Sequence, residues 1–291
     1  MEIAKKRRLS EVLLGFFLLC HPLPVLFHII AVALLALLAA WPHFDWNIIG
    51  LIIAAHAAMQ LSISFWNDYC DRRADEVSKK DKPIPRGLVR PHEAWIVGLL
   101  LVVIMVLLLL PLNPLALLIS LLYLALGQSY NFGLKSTPLS GIVFALAIPL
   151  IPFYAFVGAG HIISVIFWLL PVAALLGVAL NLANSLPDVE DDAANNARTL
   201  AVVLGVKRSF IACSICILLS IILVATLTLT HVVPTREELI GPTLVLSILL
   251  VSALLFFFGP EPPERLRKLY FYLVVILSLI LGVGWLLAAI T

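Results

Sequence analysis

"NDYCDRRADEVSKKDKPIPRG" occupies residues 67–87 and gathers eleven of the chain's 36 Asp, Glu, Lys and Arg side chains into 21 positions. On both sides the sequence runs in almost unbroken Leu, Ile, Val and Ala. A charged island in such surroundings reads as the connection between two membrane-crossing segments, because a bilayer core tolerates long apolar runs and little else. The composition agrees, with 62% hydrophobic and 12% charged residues, where soluble domains have about half and a quarter.

Working outward, the apolar runs long enough to cross a bilayer, about 20 residues each, number nine. They lie near 22–41, 47–66, 93–111, 114–131, 139–157, 162–182, 209–230, 239–258 and 269–289. They are apolar all round, so helices are expected, since lipid offers the backbone no other partner. Short alternating strands, the mark of a membrane β-barrel, are missing from the sequence. The expected fold class is therefore all-α: a polytopic bundle of about nine transmembrane helices forming a single domain over 1–291. Its active-site loops are expected near 67–92 and 183–208.

With nine spans, one side receives the N-terminus and four loops. That side carries 18 of the 19 basic residues: Lys5, Lys6, Arg7, Arg8, Arg72, Arg73, Lys79, Lys80, Lys82, Arg86, Arg90, Lys135, Arg198, Lys207, Arg208, Arg265, Arg267 and Lys268. Only Arg236 falls opposite. The positive-inside rule makes the basic side, with the N-terminus and both loops, cytoplasmic. Residues 10–19, "SEVLLGFFLL", are too short to span. They read either as a helix lying on the interface or as an extension of the first span, kinked by Pro22 and Pro24. No small-residue cleavage site follows, so no removable signal peptide is expected. The four cysteines form no disulfide framework: Cys20, Cys213 and Cys216 sit in apolar sequence and Cys70 faces the reducing side.

Within the opening stretch Asn67, Asp71 and Asp75 are spaced i, i+4, i+8, which places them on one helix face. Asp68 lies one turn before Asp71. Stacked like charges repel, so something positive belongs among them: Arg72, Arg73 or, better, a divalent cation. Mg²⁺ takes oxygen ligands, often one or two carboxylates plus substrate phosphates. A second stretch, "NSLPDVEDDAANNARTLAVVLG" at 184–205, repeats the pattern in Asn184, Asp188 and Asp192, each 117 residues after its counterpart. This spacing suggests an internal duplication of a four-helix unit, with the ninth helix left over. Two carboxylate faces at the ends of greasy helices suit metal ions gripping a diphosphate whose ester bond breaks, with an apolar bundle to exclude water from the carbon side.

The residues also carry a resemblance. "NDYCDRRAD" resembles the first Asp-rich motif of the UbiA superfamily of intramembrane prenyltransferases, and "DKPIPRG" the Arg/Lys-Pro-x-Pro-x-Gly segment that follows it there. "NSLPDVEDD" is similar to the second Asp-rich motif, "RTLAVVLG" to the run after it, and "YNFGLK" at 130–135 to a Tyr-containing segment after the fourth span. The resemblance implies Mg²⁺, or Mn²⁺, held by Asp68, Asp71, Asp75, Asp188 and Asp192. It implies Asn67 and Asn184 beside the diphosphate, Lys82, Lys135 and Arg198 on its oxygens, and Tyr130 near the cation. Asp71, Asp188, Lys135 and Tyr130 are the expected catalytic set. Glu190 and Asp191 read as solvated as readily as functional, and Arg72 and Arg73 as ion-pair partners or loop charges. The implied partners are a polyprenyl diphosphate, a lipophilic or aromatic acceptor, and the bilayer, with no nucleic acid.

Two departures touch the acceptor. Ser185 and Pro187 stand where naphthoate-prenylating relatives have Asn and Arg, and His21 where many relatives have Arg. The expectation leans toward an aromatic, quinone-precursor acceptor, with glycerol-phosphate lipids and polyprenyl-phosphate sugars as alternatives. A secondary transporter also holds paired acids and repeats, but near the bilayer midplane. A CDP-alcohol phosphotransferase would need a DGxxAR…GxxxDxxxD segment, which is absent. Neither a P-loop, a GxGxxG, an HExxH nor a nucleophile elbow occurs. His21, His28 and His56, in or beside spans, read as interior residues.

Overall fold

The computed structural model describes residues 7–290, and within them every long element is a helix. Lys5 and Lys6 of the basic N-terminal cluster lie outside the described residues. The order is α1 (Leu9–Leu19), α2 (Pro22–Ala40), α3 (Trp46–Ser78), α4 (Pro91–Leu109), α5 (Pro114–Asn131) and α6 (Ser140–Gly158). It continues with α7 (Val165–Ser185), α8 (Val189–Ala194), α9 (Leu200–Leu229), α10 (Glu237–Phe258) and α11 (Glu264–Ile290). Short 3₁₀ turns at Leu134–Ser136 and Leu186–Asp188 join α5 to α6 and α7 to α8.

Nine of these helices coincide with the nine expected spans. Eight stretches are apolar and long enough to cross a membrane; the ninth helix, α5, is diluted by its last turn, Gln128-Ser129-Tyr130-Asn131. Of these, Tyr130 and Asn131 line the chamber described below. The boundaries depart from expectation where charge is involved. α3 runs twelve residues past the expected end at 66, and α11 begins five residues early, at Glu264. An apolar-run criterion stops at the first charges, whereas the helix continues as long as they find partners.

The helices approach closely at small residues, and many leucines cover the outer surface. A Cβ added to Gly177 of α7 would sit 2.5 Å from the Phe144 carbonyl oxygen of α6, so this crossing admits nothing larger than hydrogen. Leu107, Leu118, Leu122, Ile222 and Leu249 are more than half exposed, as a lipid-facing surface requires. Two of the four pairs of helix starts keep the spacing of the inferred duplication: α6 starts 118 residues after α2 (140 against 22) and α7 starts 119 after α3 (165 against 46), whereas α9 starts only 109 after α4 (200 against 91). α10 lags slightly, 123 after α5 (237 against 114).

Of the two readings of residues 10–19, the separate helix holds. Cys20 ends α1, His21 takes a left-handed conformation (φ 44°), and Pro22 starts α2. α1 lies on the α3–α4 end, where a Cβ on Gly15 would come 2.7 Å from Val89 and 2.8 Å from Leu88. Arg7 forks onto the Glu93 carboxylate at 2.5 and 2.8 Å, tying the start of α1 to α4. Leu9, Leu13 and Phe17 stay at least 60% exposed, which suits an in-plane helix at a lipid surface.

Candidate active site

α3 carries the first Asp cluster as one unbroken helix through to Ser78, so Asn67, Asp71 and Asp75 share a face as their spacing requires. Asp68 and Asp75 are buried, at 2% and 5% exposure, while Asn67 and Asp71 are half-buried. The positive partner is neither Arg72 nor Arg73. Arg72 stacks over the Tyr69 ring, 4.2 Å from its centroid, and donates to the Tyr69 carbonyl; Arg73 is exposed. From i+1 and i+2 their side chains leave the helix away from the Asp face. Lys82 fills the role, its Nζ donating to Asp68 at 2.9 Å and to Asp75 at 2.8 Å.

The "KPIPRG" segment makes this possible by folding back over the helix end. The amide of Arg86 bonds to the Lys82 carbonyl, that of Gly87 to Ile84, and that of Leu88 to Pro83. Gly87 takes φ +71°, a left-handed conformation that a side chain would strain. Burial works against the Lys82 charge, but Asp68 and Asp75 outweigh it and hold the ammonium above the ordinary lysine value. His21 Nε2 adds a contact of 3.1 Å to the same Asp68 oxygen.

The second cluster is built differently. α7 stops at Ser185, a 3₁₀ turn spans Leu186–Asp188, and the short α8 follows. Asn184, Asp188 and Asp192 therefore do not share one continuous helix face, as their spacing had suggested. Pro187 is the cause: it lacks the N–H that would continue α7 and its ring crowds the preceding turn. Asp188 meets Lys79 Nζ at 3.0 Å, with the Asp188 side chain 44% exposed. Glu190 turns away to Arg267, which is buried and bonds also to the carbonyls of Leu186 and Pro262. That clamp anchors the 3₁₀ turn to the start of α11. Asp191 is exposed.

The two clusters face one another. Lys79, at the end of α3, bonds to Asp188 beyond α7, and Lys135, in the turn after α5, bonds to Asp71. Tyr130 and Asn184 line one chamber with Asn67. Arg198 is the expected site residue that remains apart: its side chain is exposed, and only its backbone N–H reaches the site region, bonding to Ser136 beside Lys135. Among the described residues no three His, Cys, Asp or Glu converge to hold a metal ion. The donor type nonetheless fits a hard cation. The site offers carboxylate oxygens, presently matched by single lysine ammoniums, and Mg²⁺ commonly completes such a set with substrate phosphates.

Three neighbouring cavities, each sharing lining residues with the next, step inward. An open cleft of about 1030 Å³ is lined by Asp68, Lys79, Lys82, Pro187 and Asp188. Below it lies a chamber of about 270 Å³, reached past His21 and lined by Asn67, Tyr130, Asn184, Gln60 and Tyr123. His28, Phe144 and Phe271 line both this chamber and an apolar groove of about 170 Å³ between α2, α6, α7 and α11. Carboxylates at a membrane-helix end, above a cavity that grows steadily more apolar, are what the two Asp-rich stretches require if they act together.

A family model for UbiA prenyltransferases matches residues 25–278. The chain belongs to the UbiA prenyltransferase family. Among similar proteins is the digeranylgeranylglyceryl phosphate synthase of Pyrococcus horikoshii, 34% identical over 157 residues, or 54% of this chain and 56% of that protein. The 4-hydroxybenzoate octaprenyltransferase of Vibrio atlanticus is 28% identical over 168 residues, covering 55% and 58%. The chain thus spans little more than half the length of the curated relatives it matches. In fold it resembles a structure of a UbiA homologue from Archaeoglobus fulgidus bound to DMAPP and Mg²⁺, with TM-score 0.72, 18% identity, and 94% and 99% of the two chains covered. A structure described for digeranylgeranylglyceryl phosphate synthase gives 0.73 at 19% identity, covering 96% and 99%.

Several polar side chains that the structure brings to these cavities, or packs behind them, were not singled out from the sequence. Lys79 was counted only as a loop charge, and nothing in one sequence shows that it reaches across 109 positions. Gln60, His28, His56 and Tyr123 were legible as polar residues inside spans, a signal that favours function. Only the fold shows that they meet one another.

Proposed function

We propose that the protein transfers a prenyl group from an allylic prenyl diphosphate to a lipophilic or aromatic acceptor at the membrane surface, with Mg²⁺. The observation that carries this is the meeting of two carboxylate clusters and three lysines over a cavity that shares lining residues with an apolar groove. When bound, Mg²⁺ supplies positive charge for the diphosphate as it leaves.

The chain's own groups do the rest. Lys79, Lys82 and Lys135 hold the carboxylates in place before substrate arrives. The same ammoniums would turn protons toward the diphosphate oxygens once substrate is bound. The C1–O bond of the prenyl group breaks, the electron pair leaves with the diphosphate, and the allylic carbon is left electron-poor. Tyr130, wedged edge-on against Phe144 in the chamber wall, presents an aromatic surface to that carbon. The apolar groove takes the tail and keeps water from the reacting carbon. The acceptor's nucleophilic atom closes the new bond to C1 and loses its proton.

Relatives named for a glycerol-phosphate product and for 4-hydroxybenzoate both resemble this chain, so the family alone leaves two acceptor classes open. The experiment is pyrophosphate release by detergent-purified protein from geranylgeranyl diphosphate, with a panel of acceptors and with or without a chelator. Release that needs an acceptor and stops in chelator is expected; full activity in chelator would refute the site. We place the cleft on the cytoplasmic face. Cysteines introduced at Ser78 and Asn195, in a background lacking the native four, should react with an impermeant thiol reagent from that side only. Labelling of the two from opposite sides would end the shared-site reading.

A further inference from the structure

The two arginines beside the first Asp cluster take no part in the site described above. Arg73 is exposed, but Arg72 is half-buried, its guanidinium lying over the Tyr69 ring. One of its N–H donors reaches the Tyr69 carbonyl oxygen, and the rest of the fork is left over. Among the described residues no carboxylate pairs with it. Glu93, in the first turn of α4, is held by Arg7, and Glu76, one turn further along α3, is exposed.

A pocket of about 490 Å³ opens beside this guanidinium, lined by Tyr69, Arg72, Pro91, His92, Trp95 and Ile96. It shares no lining residue with the cleft that holds the Asp clusters, and its lining contains no Asp or Glu. Trp66 backs it: its ring stacks on Trp95, and its Nε1 donates to the Trp95 carbonyl oxygen at 3.0 Å. α4 fits against that indole only through Gly98, where a Cβ would come 2.3 Å from Trp66 Nε1.

The pocket stands at the head of a lipid-facing stripe. His92, Trp95, Ile96, Leu99, Leu100 and Val103 follow i, i+3, i+4, i+7, i+8, i+11, and all are exposed. α4 is also the least buried of the eight apolar spans. The stripe begins with an imidazole at the pocket and continues as bare hydrocarbon down the span. Tryptophan and tyrosine collect at the headgroup level of a bilayer, and Trp66, Trp95 and Tyr69 mark that level here.

We infer that this pocket binds the phosphate of an anionic phospholipid from the leaflet on the cleft side. Arg72 and His92 would meet the phosphate oxygens, and an acyl chain would lie along Ile96, Leu99, Leu100 and Val103. A guanidinium offers paired N–H groups to phosphate, and a headgroup without a cation of its own leaves that attraction unopposed. A soluble phosphate would find the same polar groups but has nothing to lay on Trp95 and Ile96. Arg72 leaves α3 away from its Asp face, so the proposal stands apart from the prenyl-transfer reading.

The test uses full-length protein, delipidated in detergent, and native mass spectrometry as dioleoyl phosphatidylglycerol or dioleoyl phosphatidylcholine is added. The expected result is one phosphatidylglycerol held about tenfold more tightly than phosphatidylcholine, an advantage lost in Arg72→Gln. Arg73→Gln removes the same charge one position away and should change the affinity about twofold or less. Arg72→Lys keeps the charge without the fork, should bind more weakly than wild type, and stands in if Arg72→Gln fails to fold. Fluorescence locates the lipid. In mixed vesicles, phosphatidylglycerol brominated on its acyl chains should quench tryptophan more than brominated phosphatidylcholine does, and Trp95→Phe should reduce that excess. Equal affinity for the two lipids, or equal losses in Arg72→Gln and Arg73→Gln, would make the pocket unspecific surface charge and overturn the proposal. Displacement of the lipid by inorganic phosphate would assign the pocket to a soluble anion, which overturns it as well.

Discussion

The two Asp clusters share a sequence spacing and differ in almost everything else. On α3 the acids ride a continuous helix, Asp68 and Asp75 are buried, and one lysine bridges both. Beyond α7 the acids straddle a 3₁₀ turn and a six-residue helix, and Asp188 has a single lysine in an open cleft. The first is a pre-set jaw whose charges are fixed by burial. The second is an exposed jaw whose position depends on Pro187 and on the clamp between Glu190 and Arg267. The same i, i+4, i+8 signature can therefore encode a rigid face or a jointed one, and a proline just before the first acid of the second cluster decides which.

The largest expected effects fall where the jaws must cooperate. Asp71→Ala and Asp188→Ala should each lower kcat/KM for the prenyl diphosphate by about 10²–10³ or more, as for loss of a main electrostatic group. The double variant should be scarcely worse than either single one, as for residues acting as a unit. Strictly multiplicative losses would mean that the clusters work independently and that their facing geometry is incidental.

Next comes the joint. Pro187→Ala returns a backbone N–H and lets α7 extend toward Asp188. The expected outcome is transfer reduced about 10- to 100-fold, the cost of misplacing a group by about 1 Å, with no loss of thermal stability. Unchanged kinetics would show that the 3₁₀ turn does not set the position of Asp188.

The lysines should separate the two jaws in stability. Lys82→Met strands two buried carboxylates, and the expected loss is about 3 kcal/mol, toward the lower end for a broken buried pair because Lys82 itself is 22% exposed. Lys79→Met removes a half-exposed pair and should cost about 0.5 kcal/mol or less. Thermal unfolding in detergent measures both; equal losses would erase the contrast between buried and open jaws. A comparably small effect, about 0.5 kcal/mol or less, is expected from Glu190→Gln, because Glu190 is 58% exposed and Arg267 keeps its two carbonyl partners. A loss as large as that of Lys82→Met would make the clamp, and not the buried jaw, the firmer anchor.

Much of the site was readable because its acids are few and regularly spaced in an apolar chain. Asn67, Asp71 and Asp75 could be paired with Asn184, Asp188 and Asp192 by counting alone, and "KPIPRG" announced a tight return. The cations were read less well. Arg72 and Arg73 drew attention by adjacency, yet the helix points them elsewhere. Lys79 and Lys82 reach the acids only because the loop folds back. Arg198 was carried over from the resemblance and stands apart in the fold. The polar cluster of Gln60, Tyr123 and His28 was visible one residue at a time, but its members come from three helices.

The sequence by itself determined that this chain is an all-helical bundle, where its helices lie, and that two acidic stretches recur in register. Those features follow from hydrophobic run length and local spacing, which act between near neighbours along the chain. Only the tertiary structure decided which lysine meets which aspartate, that Pro187 turns the second cluster into a joint, and that Gln60, Tyr123 and His28 gather at one chamber. These depend on side chains up to 109 positions apart. In helices so uniformly apolar, sequence period cannot mark which face turns inward; that choice is made by close-packed glycines and by the few polar groups that must find partners inside the bundle.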